Sequence, residues 1–216
     1  MKKIGLICLA LVLALGALGV GYAMWSDEVV IEGTVDTGTL RLGIWRAVVE
    51  RIEQGGGVEQ QKDVATVELS FEGPILKKEF QGFPGERWAY EKLKVALNNS
   101  YPDLTVDVAF YMACVGSIPV HISAINISDP SEYLTWEWVV KPVQGSPGPH
   151  YGHFYRTGDP EKEPVINITL GGLQICQQFH WCDWDKADLI IHVKQPAEQD
   201  HEYQFLVEIE GEQFDE

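Results

Sequence analysis

Between Leu104 and Met112 every second residue is apolar, Leu104, Val106, Val108, Phe110 and Met112 alternating with Thr105, Asp107, Ala109 and Tyr111. Successive side chains of a strand point to opposite faces, whereas a helix gathers residues three and four apart, so a period of two specifies a half-buried strand. The pattern recurs along the chain. Val64 to Phe71 alternates, Leu93, Val95 and Leu97 oppose Lys92 and Lys94, and Ile118, Val120 and Ile122 follow a Gly116-Ser117 turn. Further sets are Trp136, Trp138 and Val140; Ile166, Ile168 and Leu170; Leu189, Ile191 and Val193; and Tyr203, Phe205, Val207 and Ile209. At Ala124 the apolar phase slips to Ile125 and Ile127, which marks a β-bulge or the end of a strand. No stretch after residue 23 has the 3.6-residue period of a long amphipathic helix.

Between these runs lie breaks. Residues near 46–63 are charged and Gly-rich and read as a loop, Gly73-Pro74 and Gln81 to Arg87 read as turns, and 142–164 reads as a second long loop. Leu173 to Asp185 reads as a Cys-bearing turn. The expected fold is all-β: about nine or ten short strands in a jelly-roll-like antiparallel β-sandwich. A jelly roll ranks ahead of an immunoglobulin-like sandwich because no Cys-Trp-Cys framework spans the sheets.

The first residues have a different character. Lys2 and Lys3 precede an apolar run from Ile4 to Val20, and Gly21-Tyr22-Ala23 places small residues where a signal peptidase cuts before Met24. Residues 1–23 therefore read as a helical signal peptide, cleaved between Ala23 and Met24, leaving no stable membrane span. The competing reading is a retained anchor, because the uncharged run continues to Trp25 at about the length that spans a bilayer. Beyond the cut, Trp25, Val29, Ile31 and Val35 lie in a short strand at about 24–35, followed by a turn at Asp36-Thr37-Gly38 and a second strand carrying Leu40, Leu42 and Ile44. Losing Lys2 and Lys3 shifts the formal charge from -16 to -18. Such a surface repels phosphate backbones and anionic headgroups, which argues against nucleic acid as a partner. Residues 24–216 suffice for one domain with a sizeable core.

No catalytic motif accompanies this organisation. His-Glu-x-x-His is absent, and the nearest histidine pair, His150 and His153, falls in the expected second loop without a third ligand. Gly-x-Ser-x-Gly and the phosphate-binding and dinucleotide glycine motifs are also missing, so the expectation is a non-enzyme with no catalytic residues, no metal and no cofactor. Cys176 and Cys182 frame a short loop that a disulfide could close, with a metal site including His180 as the lesser alternative; Cys114 is the odd thiol. Asn98, Asn126 and Asn167 begin formal glycosylation sequons. Trp136, Trp138, Trp181 and Trp184 could build a sugar-stacking face but fit a core better. Asp183, Asp185 and Asp188 could offer oxygen ligands to Ca²⁺ but lack the spacing of a known loop and read as solvated acids.

Three segments resemble a known family. Gly21 to Leu40 (GYAMWSDEVVIEGTVDTGTL), Asn98 to Ile127 (NNSYPDLTVDVAFYMACVGSIPVHISAINI) and His192 to Glu216 (HVKQPAEQDHEYQFLVEIEGEQFDE) are similar to the start, middle and end of the TasA and camelysin group of secreted proteins, which SipW-type signal peptidases process. The resemblance implies a jelly-roll domain, secreted into a biofilm matrix or held at the cell surface. It implies self-association into a head-to-tail polymer through donor-strand exchange, with Trp25, Val29, Ile31 and Val35 on the donated strand. The same group includes camelysin-like metalloendopeptidases, the alternative function; a carbohydrate-binding β-sandwich is the third.

Overall fold

The computed structural model describes residues 10–15, 38–54, 65–80, 82–146, 148–180, 183–195, 197–198 and 201–213. The chain divides into two compact units, Met1–Thr37 and Gly38–Glu216. In the first, residues 10–15 are helical, with Leu11, Val12, Leu13 and Leu15 exposed. The cleavage site at Ala23 and Met24 and the expected strand at 24–35 lie outside the described residues. No described helix is long and apolar enough to cross a membrane.

The second unit is all-β. Its strands are β1 (Leu42–Gln54), β2 (Thr66–Phe80), β3 (Phe83–Ser100), β4 (Leu104–Cys114), β5 (Val120–Ser128), β6 (Leu134–Val140), β7 (His150–Arg156), β8 (Pro164–Gly171), β9 (Gln178–Phe179), β10 (Trp184–Val193) and β11 (His201–Glu212). Every pairing between them is antiparallel, in the order β6-β7-β8-β10-β4-β1-β3-β11-β5-β9, with β2 on the other side of β3. One link in this path is thin: β1 meets β3 only at Ile44 opposite Tyr90. The sheet therefore curls at that corner into two wings, β6-β7-β8-β10-β4-β1 and β2-β3-β11-β5-β9. Their inner faces meet in one apolar core, where Phe154 of β7 lies 5.0 Å from Phe205 of β11.

The core follows the alternation. Leu104, Val106, Val108, Phe110 and Met112 of β4 face inward and are sealed, as are Leu93, Val95 and Leu97 of β3 and Leu189, Ile191 and Val193 of β10. The phase slip in β5 is a bulge. Glu210 pairs with Ala124 and Gly211 with Ile122, so Ser123 is the extra residue, and Ile125 and Ile127 return to the core. Before β1, the Val115 amide donates to the Arg41 carbonyl and the Ser117 amide to the Thr39 carbonyl. Only glycine fits between them, because a Cβ on Gly116 would lie 2.1 Å from the Thr39 carbonyl oxygen.

Several breaks read from the sequence are strand instead. The loop expected near 46–63 begins as the second half of β1, whose Glu50, Arg51 and Glu53 are exposed while Ala47 and Val49 reach the core. Gly73-Pro74 does not end β2, which absorbs the proline in an irregularity between Pro74 and Leu76. Proline is tolerated there because β2 is an edge strand, with no partner on its outer side among the described residues. Strand β3 starts at Phe83, inside the turn expected at Gln81 to Arg87. Strand β7 lies inside the loop expected at 142–164 and turns His150, Gly152 and Phe154 inward, and β9 occupies part of the expected Cys-bearing turn.

A second, smaller cluster sits on the outer face of the β1 wing. Trp45, Phe80, Ala89, Ala113 and Val115 form it, with Trp45 stacked on Phe80 at 4.8 Å. Beyond the corner, the β2–β3 hairpin folds its tip over this face.

Candidate functional site

Two strand edges meet no partner among the described residues. β1 pairs with β4 along its length, but its opposite edge is engaged only at Ile44, which leaves 46–54 open. β2 pairs with β3 alone, so its outer edge is open as well. Away from the Ile44–Tyr90 pair no described strand joins these edges, which leaves a gap in the hydrogen-bonded ladder.

The side chains that face inward along this gap are only partly covered. On β1, Val49 is half-buried and Ile52 is 43% exposed, although their neighbours Val108 and Val106 on β4 are sealed. On β2, Val67, Leu69 and Phe71 are half-buried beside Leu97, Val95 and Leu93, each 0% exposed. These five residues share the inner faces of the two wings, and what they lack is a neighbour on one side. Covering the exposed part of each, the smaller share of its surface, would contribute roughly 1 kcal/mol at most, or about 5 kcal/mol together. That only matches the low end of the association cost, about 4–15 kcal/mol, so a strand held here also needs the main-chain hydrogen bonds that both edges offer. Charges flank the gap: Arg51 pairs with Glu53 and lies 3.8 Å from Asp107, and Glu68 and Glu72 are exposed on β2.

The residues singled out from the sequence are placed elsewhere. Trp25, Val29, Ile31 and Val35 lie outside the described residues, as does Cys182. Cys176 is half-buried, at φ 64°, with a free thiol. Cys114 is buried, its thiol 3.4 Å from the Ile118 carbonyl. His150 and His153 point to opposite faces of β7. His150 is sealed and its Nε2–H donates to the Leu173 carbonyl at 3.1 Å, while His153 faces outward opposite Asn167, so the two cannot ligate one ion.

The aspartates do not converge either. Asp183 accepts from the His180 amide, Asp185 from Gln177 and the Lys186 amide, and Asp188 pairs with Lys186. Among the described residues no group of three His, Cys, Asp or Glu is placed to hold a metal ion. Trp136 and Trp138 pack against the core, T-shaped to each other at 5.0 Å, whereas Trp184 lies on the outer face of its wing. Trp181 lies outside the described residues, and the other three make no common stacking face.

Compared with protein-family models, with curated proteins and with solved structures, the chain matches none. The molecule is thus defined by its own geometry: an all-β domain with an open flank. Val67, Leu69 and Phe71 were legible as a strand, but alternation does not say which strand of a sheet lies at an edge. Ile52 was hidden among the charges of an expected loop.

Proposed function

We propose that the protein is a structural subunit of an extracellular fibre. In this reading a SipW-type peptidase cuts between Ala23 and Met24, and the freed 24–35 segment enters the open flank of the next copy, between β1 and β2, completing a jelly roll. What carries the reading is the half-covered row of Val49, Ile52, Val67, Leu69 and Phe71 beside two unpaired edges. An open apolar edge invites strand addition, in which main-chain bonds supply affinity and alternate side chains fill pockets. Val29, Ile31 and Val35 supply such side chains. The 46–54 edge is about 30 Å long at roughly 3.3 Å per residue, a length the 24–35 segment can match.

A jelly roll is supported by the way the chain passes repeatedly between wings, from β3 to β4, β4 to β5, β5 to β6 and β10 to β11. Exchange between copies is favoured over insertion into the same subunit by the corner. A tight hairpin from Gly38 back along β1 would meet Tyr90, which already occupies that edge at Ile44. The contact is head-to-tail, so it propagates instead of closing.

The test mixes two defective subunits, one lacking Met24 to Gly33 and one carrying Leu69→Lys in the acceptor flank. By negative-stain microscopy and sedimentation, the processed wild-type protein forms fibres and each variant alone stays monomeric. Together they stop at a one-to-one complex, because only one donor and one acceptor remain. Fibres from the truncated subunit, or a wild type that stays monomeric at high concentration, would rule the reading out.

A further inference from the structure

The outer face of the β1-β4-β10 wing, opposite the core face that the open flank borders, carries a second site. At one end Phe83, from the hairpin tip, lies 5.6 Å from Trp184 and 4.7 Å from Trp45, and Tyr111 lies 5.8 Å from Trp184. Two guanidinium groups rest on these rings. Arg46 is 5.2 Å from the Tyr111 centroid and 5.7 Å from that of Phe83; Arg87 is 5.7 Å from both Phe83 and Trp45. Neither arginine has a carboxylate partner among the described residues, although Asp and Glu outnumber Lys and Arg by 32 to 16. A guanidinium held over aromatic rings keeps N–H donors for an anion.

The same face continues into a polar hollow. Along β10, Trp184, Lys186, Asp188 and Ile190 point outward at every second position. Lys186 pairs with Tyr111, and Asp188 with the small Ala109. The cavity there is about 250 Å³, walled by Glu50, Asp107, Lys186 and Asp188. Lys186 bridges Glu50 at 2.8 Å and Asp188 at 3.0 Å, and these hydrogen bonds raise its pKa, so the ammonium stays charged as a brace. Each carboxylate keeps lone pairs for further donors.

A ligand that fits both halves carries a carboxylate at one end and hydroxyl donors at the other, with a flat apolar face for Trp184, which is 38% exposed. An acidic peptide satisfies the arginines, but its acidic side chains bring no hydroxyl donors to Glu50, Asp107 and Asp188. A neutral glucan satisfies the carboxylates and leaves the arginines unused. We propose that this face binds a uronic-acid polysaccharide, its sugar rings stacked on Trp184, its carboxylates on Arg46 and Arg87, and its hydroxyls in the hollow.

The probe is oligogalacturonate, titrated calorimetrically and by tryptophan fluorescence into the subunit lacking Met24 to Gly33. Failure here therefore leaves the fibre reading standing. Binding is expected to quench fluorescence, to weaken with salt, and to exceed that of a neutral glucan oligomer by roughly tenfold or more. Trp184→Ala and Arg87→Ala should each weaken it by about tenfold. Trp184→Phe, which keeps a ring and guards against misfolding, should lose only a few-fold. The proposal is overturned if oligogalacturonate does not bind, if the neutral glucan or poly-glutamate binds equally well, or if a folded Trp184→Ala variant binds like wild type.

Discussion

β4 and β2 have similar alternating patterns and different fates. β4 lies between β1 and β10, and its inward side chains are sealed on both sides. Among the described residues β2 has only β3, and its inward Val67, Leu69 and Phe71 remain partly exposed. The difference lies in position within the sheet and not in composition, since Phe, Leu and Val occur on both. It teaches that in an open sheet the number of neighbours a strand has decides how much its apolar face contributes.

Paired truncations test this most strongly. Phe110→Ala should cost about 3–5 kcal/mol of unfolding free energy in denaturant, as for a sealed core ring. Phe71→Ala should cost less, roughly 2–3 kcal/mol, because part of its surface already meets water. Equal losses would mean that β2 is covered by something beyond the described residues. Gly116→Ala comes next, at roughly 2–3 kcal/mol, because its methyl group would overlap the Thr39 carbonyl and push the chain off the end of β4. A smaller but more local effect is amide exchange. Interior β4 amides should exchange only through global unfolding, while amides on the open edges of β1 and β2 exchange orders of magnitude faster. Polymerisation should protect the open edges alone.

The smallest expected effect is alkaline. Burial, chiefly, raises the Tyr203 hydroxyl above its ordinary 10.0, and burial together with a hydrogen bond to Glu198 does the same for Tyr133. A raised folded-state value favours the protonated, folded form. The stabilisation is whole below about pH 10, where the unfolded chain titrates, and is lost as pH climbs through the raised values. Melting temperature followed from pH 8 to 12 should therefore fall less steeply in Tyr203→Phe than in wild type.

How far the sequence revealed this molecule depends on what each strand was made of. β4, β8, β10 and β11 were plain because β-branched and aromatic residues alternate with polar ones, and the β5 bulge announced itself by a phase slip. β7 was missed because its inward positions are His150, Gly152 and Phe154. Gly152 is there because the Trp136 ring and the Glu137 carbonyl would lie 2.6 and 2.5 Å from a Cβ. The later half of β1 was missed because charged side chains crowd its outward face. The open flank could not be read at all, since edge position depends on pairings between residues far apart in sequence. The Arg46 and Arg87 site depends likewise on the hairpin folding back onto β1.

The corner at Ile44 and Tyr90 has a mechanical consequence. If copies are linked by borrowed strands, tension enters at the 46–54 edge of β1 and leaves through residues 38–41 at its other end. The pull then runs lengthwise through one strand, loading its ladder with β4 in shear, where many bonds share the force. The opposite wing meets β1 at a single backbone pair, so the load it takes passes through the shared apolar core and through its own contact with the borrowed strand.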